Sequence, residues 1–236
     1  MKIFDAHFHP EEYGNKNAVS AAIEIAGGLC CSSSEKDWQK TLEITRNDKT
    51  IIPCIGIHPW NVAEIPPEKW ANMRRLVMET GSFIGEIGLD ALRPDMEMQE
   101  KVFAEQLLMA KETGLPAVIH CVRAWRRLVE TINKINPGRF MIHSFNGSPE
   151  TMRQIIALGG FVSFGPGLAN EKAKKSRTAF LSVPLDKFML ESEGEISQMA
   201  GLIQAAEATA KIKNMPIPAI INAANENYME FVSLGL

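Results

Sequence analysis

The chain is poor in three things that mark whole classes of protein: cysteine, long apolar runs and surplus positive charge. Four cysteines occur in 236 residues, Cys30, Cys31, Cys54 and Cys121, with no CxxC pair. That excludes a disulfide framework and a thiolate metal knot. It predicts four reduced thiols packed as small hydrophobes, as a reducing compartment keeps them. No apolar stretch reaches the roughly 18 residues of a membrane span. The opening MKIFDAHFHP carries neither the apolar core nor the cleavage site of a secretory leader. The expectation is a soluble, cytoplasmic chain without membrane contact. Lysine and arginine number 25 against 28 acidic residues, a net charge of -3. A long nucleic-acid groove depends on a basic excess. Any nucleic-acid contact is therefore expected to be short, such as a strand end held through metal ions. Nothing in the sequence points to an obligate protein partner.

What the chain does have is alternation. With 45% hydrophobic residues it can bury a large core. Short apolar runs predict strands at Lys2–His7, Gly27–Cys31, Ile51–Ile57, Phe83–Ile87, Ala117–Cys121, Arg139–His143, Phe161–Phe164 and Lys187–Glu191. Helical periodicity predicts helices at Glu35–Asn47, Pro67–Thr80, Met96–Thr113, Trp125–Ile135, Pro149–Leu158, Asn170–Leu181, Ile196–Lys213 and about Pro218–Val232. Strand–helix alternation with short connections implies right-handed crossovers and a parallel sheet. Eight strands in about 250 residues is the pattern of an α/β, single-domain TIM-type (β/α)8 barrel.

All five histidines, His7, His9, His58, His120 and His143, fall at or just after the C-terminal end of a predicted strand, the face on which such barrels build active sites. His7 and His9 are two apart, so both side chains point to one side of a strand. Asp5 shares that side and is placed to orient a histidine. Glu86, in FIGEIGLD, is a carboxylate among apolar and glycine residues, a costly position unless it is paired or metal-bound. Imidazole and carboxylate donors without cysteine suit zinc or manganese, with magnesium where carboxylate and water dominate. A divalent ion at such a site brings water towards hydroxide near neutrality, which points to hydrolysis. His58, in GIHPW, is a candidate phosphate or ligand-orienting residue, and Trp60 can stack on a base or pack at the rim. Lys172, Lys174, Lys175 and Arg177, with Arg126 and Arg127, read as solvated helix faces.

These residues resemble the TatD family of metal-dependent deoxyribonucleases, among the amidohydrolase-like barrels. The matching runs are DAHFH at the N-terminus, GIHP at 56–59, GEIGLD at 85–90, PAVIH at 116–120, HSFNGS at 143–148 and FMLESE at 188–193. The resemblance implies a site of one or two divalent ions. His7 and His9 would hold the first with Glu86 bridging, and His120 and His143 would hold the second or share in both. Glu193 would stand where the family carries an aspartate that serves as ligand and base, with His58 beside the substrate phosphate. The implied reaction is phosphodiester hydrolysis of 3'-5' exonuclease type, acting on DNA ends.

Three positions depart from the family pattern. Its final acidic run reads Glu191-Ser192-Glu193 here, so the last carboxylate is one methylene longer, about 1.5 Å, and a misplacement of that order can cost about 100-fold. Glu191 is the alternative bearer of that role. The arginine that follows the fifth strand is displaced to Arg123, as a substrate-binding candidate, with Val122 in its usual place. Trp60 stands where a second histidine is common. These changes keep two other readings open: a metal hydrolase of a small amide, lactone or phosphate ester, and a weakly active metal-binding homologue.

Overall fold

The computed structural model describes residues 1–10, 23–64, 66–193 and 198–233. The apolar runs form strands β1 (Lys2–Phe8), β2 (Glu24–Cys31), β3 (Ile51–Ile55), β4 (Phe83–Asp90), β5 (Ala117–Val122), β6 (Phe140–Ile142), β7 (Phe161–Phe164) and β8 (Phe188–Leu190). They lie in sequence order in one eight-stranded sheet, each parallel to the next. Helices α1 (Glu35–Asn47), α2 (Pro67–Thr80), α3 (Met96–Thr113), α4 (Trp125–Ile135), α5 (Pro149–Ala157) and α6 (Lys174–Ser182) connect β2 through β8, and α7 (Gln198–Lys213) and α8 (Ile217–Val232) follow. This is the TIM-type barrel. No helix among the described residues is long and apolar enough to cross a membrane.

Local chemistry explains most boundaries. Asp37 Oδ2 accepts the Ser34 N–H at 3.0 Å and so closes the first turn of α1. Gly81 ends α2 in the left-handed region, with φ 67°. The strand predicted at 83–87 runs on to Asp90 because β5 keeps pairing with it, up to Asp90 opposite Val122. The helix predicted from Asn170 begins instead at Lys174. Asn170 Oδ1 accepts the Lys172 N–H at 2.9 Å, an Asx turn that competes with helix initiation. Residues 196 and 197 of the seventh predicted helix lie outside the described residues.

Two buried layers support the site. Between helices and strands, α3 contributes Val102, Phe103, Leu107 and Ala110. Inside the barrel, every strand sends in one or two side chains: Ala6, Leu29, Cys31, Cys54, Phe83, Val118, Met141, Phe161 and Met189. All four cysteines are buried thiols outside any disulfide. The lower end of the barrel is plugged by α8, whose Phe231 meets the rings of Phe83 and Phe161 edge-on.

The sheet's last seam, between β8 and β1, is closed by side chains. Asn225 of α8 accepts from the Phe4 N–H and donates to the Lys2 carbonyl, taking up the outer edge of β1. Two residues on, Asn227 donates to the carbonyls of Leu185 and Phe188, at 2.8 and 2.7 Å, on the β8 side. Higher up, Asp5 of β1 accepts from the Ser192 N–H and hydroxyl, just beyond β8. Asn227 is buried, so Asn227→Ala leaves two carbonyls without donors. It is expected to destabilise the fold by about 2–3 kcal/mol, lowering the thermal midpoint by about 4–12 °C for a chain of this length. A calorimetric midpoint within about one degree of the parent's would show that the seam does not depend on this residue.

Candidate metal centre

The centre is organised around Glu86, buried on β4. Its Oε2 lies 3.5 Å from His7 Nε2 and 3.6 Å from His9 Nε2. Its Oε1 lies 3.1 Å from His58 Nε2, 3.0 Å from His120 Nδ1 and 2.8 Å from His143 Nε2. All five histidines of the chain thus meet one carboxylate. Glu193 approaches from the opposite side, with Oε2 3.0 Å from His143 Nδ1. His7 and His143 stack face to face, with ring centres 4.0 Å apart.

Close backbone approach makes this possible. A Cβ on Gly56 would sit 2.7 Å from the Gly85 carbonyl carbon and 2.8 Å from the Glu86 carbonyl oxygen, so only glycine lets the end of β3 close on β4 here. Gly88, at φ 143°, lies against the His120 backbone, where a side chain would overlap the carbonyl oxygen. Two glutamines of α3 then lock the strand ends. Gln106 pairs with both the N–H and the C=O of Ile57, just before His58. Gln99 does the same for Asp90.

Hydrogen bonds to the second ring nitrogen decide what each histidine can do. His9 Nδ1 is 2.9 Å from the Cys31 carbonyl, which can only accept, so Nδ1 carries the proton and Nε2 keeps its lone pair. His120 Nδ1 faces the Glu86 carboxylate and likewise leaves Nε2 as the lone-pair atom. His58 is the reverse. The Trp60 backbone N–H donates to its Nδ1 at 3.2 Å, so its Nε2 bears the hydrogen and is a donor. His143 lies between two carboxylates. Burial alone would lower its pKa, but Glu193 and Glu86 outweigh that and hold it well above the usual imidazole value. Burial, reinforced by positive His143, puts His7 well below that value. Burial would raise the Glu86 carboxyl, yet His143 and His58 keep it well below the usual carboxylate range.

Among the described residues, both nitrogens of His7 and Nε2 of His120 are buried without a hydrogen-bond partner. Each such orphan costs about 1–3 kcal/mol, so three in one place mark a site shaped for something other than stability. Among the described residues, three groups have the spacing to hold an ion: His7, His9 and Glu86; His58, Glu86 and His120; His7, His143 and Glu193. The nitrogen and oxygen donors fit a divalent cation. Within the second group, the hydrogen on His58 Nε2 makes that nitrogen a poor ligand.

The two carboxylates left open by the sequence part company. Glu191 is fully buried, accepts from the Ser144 N–H and the Ser163 hydroxyl, and is pushed up by burial to about 8. Glu193 is partly exposed on the pocket wall. Burial would raise its pKa too, but His143 holds it at about 2. Asp5 departs from expectation. It accepts the backbone N–H of His7 at 3.2 Å, with Ser192 and Gln198 on its other lone pairs, and touches no imidazole nitrogen. It is a strut across the seam. Trp60 is at the rim, its Nε1 donating to Asp90 Oδ2 at 2.6 Å. Arg123 is exposed at φ 54° and is not on the pocket wall.

The profile of the TatD related DNase family matches residues 4–233. The chain belongs to this family. It is 26% identical to the metal-dependent hydrolase YabD of Bacillus subtilis, over 95% of this chain and 96% of that one. It is 27% identical to the 3'-5' ssDNA/RNA exonuclease TatD of Erwinia tasmaniensis, over 72% and 68%. The solved structure of the TatD homologue YJJV from Escherichia coli K12 superposes with a TM-score of 0.87 at 19% identity, over 97% of both chains. This TatD-family chain is therefore a metal-dependent hydrolase by family.

The charge state of His143 gives this relative a testable signature. Without an ion, the ring holds a proton between Glu86 and Glu193, and a ligating imidazole must give it up. Its raised pKa means that the proton is present at neutral pH, so metal binding should release about one proton. Apparent affinity should then rise as pH climbs from about 6.5 towards the folded pKa. Calorimetric titration with zinc in buffers of different ionisation enthalpy reads this directly. Heats that do not vary with buffer would contradict the assignment.

Proposed function

We propose that this TatD-family chain hydrolyses phosphodiesters, removing nucleotides from DNA ends in the 3'-5' direction. The observation that carries the reading is Glu86, one buried carboxylate shared between the His7–His9 side and the His120–His143 side. That is the arrangement a bridging ligand needs. His7, His9 and Glu86 would hold one divalent ion, and Glu86, His120 and His143 with Glu193 a second. Zinc, manganese and magnesium are the candidates. A bound ion would supply a Lewis acid and lower the pKa of its water towards about 7.

The chain's own groups complete the chemistry. Glu193, ionised and open to the pocket, is placed to accept a proton from the attacking water. His58, kept as an Nε2–H donor by the Trp60 backbone, offers that hydrogen to a phosphate oxygen. Buried Glu191 serves as support beneath Ser144. The Erwinia relative, described as acting on single-stranded DNA and RNA, supports the same substrate class.

The test is end-labelled single-stranded DNA incubated with magnesium, manganese or zinc, beside a His120→Ala control. Stepwise shortening from the 3' end that requires metal and vanishes in the control is the anticipated pattern. No cleavage with any ion, while the parent still binds metal, would sink the nuclease reading. An ester and amide screen would then address the small-substrate alternative.

A further inference from the structure

The pocket above the centre holds about 410 Å³, and among the described residues its wall carries three carboxylates, Asp37, Glu86 and Glu193, with no lysine or arginine. A phosphodiester chain has more than one negative charge. Ions at the centre can answer only the phosphate that lies on them, so a neighbouring phosphate needs another cation. Arg123, the sequence candidate for that task, is not on the wall.

Arg93 does not line the pocket either, but it lies against Trp60, which does. It follows β4 in the turn three residues beyond Asp90, where its backbone N–H donates to the Asp90 carbonyl at 3.1 Å. Its guanidinium carbon sits 4.1 Å from the centre of the Trp60 ring. Trp60 is itself anchored: its N–H is on His58 Nδ1, its Nε1 on Asp90 Oδ2, and its ring lies edge-on to His58 at 5.0 Å. Among the described residues, no carboxylate or carbonyl pairs with the Arg93 guanidinium. A guanidinium laid on an aromatic face keeps its in-plane N–H groups free, and this fork matches two oxygens of a phosphate. The tryptophan that replaces the family's common second histidine thus acts as a platform. One of its faces is given to Arg93 and is closed to base stacking.

We infer that Arg93, carried on Trp60, binds the substrate phosphate adjacent to the one hydrolysed. This rests on the phosphodiester reading above. The site is a one-phosphate subsite, fixed relative to the centre through Trp60 and His58. It makes a substrate with two phosphates better than a substrate with one.

The experiment compares a trinucleotide, which has a neighbouring phosphate, with a dinucleoside monophosphate, which has none. Parent, Arg93→Ala and Arg93→Lys are assayed for kcat and KM, and trinucleotide binding is measured by fluorescence anisotropy in calcium across a salt series. Arg93 is exposed, so these variants should keep fold and metal content. Arg93→Ala should raise KM for the trinucleotide about tenfold with kcat little changed, and flatten the salt slope by about 0.7. The dinucleoside monophosphate should not notice the change, and Arg93→Lys should recover part of the loss. Cleavage by the parent with an unchanged KM and salt slope in Arg93→Ala overturns the inference alone. Binding without cleavage overturns the hydrolytic reading, and the variant's affinity and salt slope then decide the inference. A parent that neither binds nor cleaves the trinucleotide overturns both.

Discussion

Replacing Glu86 with glutamine should reduce hydrolysis by at least about 1000-fold and strip the centre of metal, because a bridging ligand and the shared charge vanish together. The change is nearly isosteric, so packing around β4 is kept. What is lost is the negative charge on which His7, His9, His58, His120 and His143 converge. In the metal-free chain, positive His143 loses one of its two partners, and breaking a buried pair costs about 3–5 kcal/mol. Two readouts therefore move together: metal content by elemental analysis, and the thermal midpoint of the metal-free protein. Full metal stoichiometry in Glu86→Gln would contradict the bridging assignment.

A second large effect separates the two carboxylates of the last motif. Glu193→Gln should lower kcat by about 100- to 1000-fold, the order seen when a positioned acid–base group is removed. In the metal-free chain its stability should fall as well, by about 1–3 kcal/mol, since positive His143 loses one of its two carboxylate partners. Glu191→Gln should spare kcat. Glu191 is neutral near pH 7, because burial pushes it to about 8, so an uncharged replacement disturbs little electrostatically. It does put an amide where two oxygens accepted from Ser144 and Ser163, so a loss of stability of about 1–3 kcal/mol is expected with modest change in kcat. The pH sign follows from the same shift. A raised carboxyl favours the fold most below about 4.5, and that contribution fades as pH rises through about 8. The stability of Glu191→Gln should lack this part of the pH dependence. A collapse of kcat in Glu191→Gln with Glu193→Gln near normal would reverse the roles.

The cluster around Glu86 was readable in the sequence because each histidine falls at or just after the end of a run whose length marks a strand. Strand ends in a barrel share one face, so five separate positions in the chain reduce to one place in space. The supports were harder to read. Gln99 and Gln106 lie seven apart on the buried side of α3, amid Val102, Phe103, Leu107 and Ala110. Their spacing makes them look like part of an apolar stripe, and only the loops they clamp reveal why polar groups are there. Asp5 could be placed on the correct side of β1, but its partners Ser192 and Gln198 are nearly two hundred residues away. Arg93 left no pattern at all. A lone arginine in a turn is ordinary until the ring beneath it is seen.

The side-chain seam also sets an order of events during synthesis. β1, with His7 and with His9 just beyond it, is among the first segments made. Yet Asn225 on its edge, and the Tyr228 ring that stacks on Phe4 at 4.5 Å, belong to α8, made after every candidate ligand. Contacts of such long sequence separation form late. A growing chain that already contains 7–193 should therefore still handle its first strand as unfinished edge, open to chaperones or to wrong partners. The His7–His9 side of the candidate centre is then expected to be fixed late, after α8 has docked.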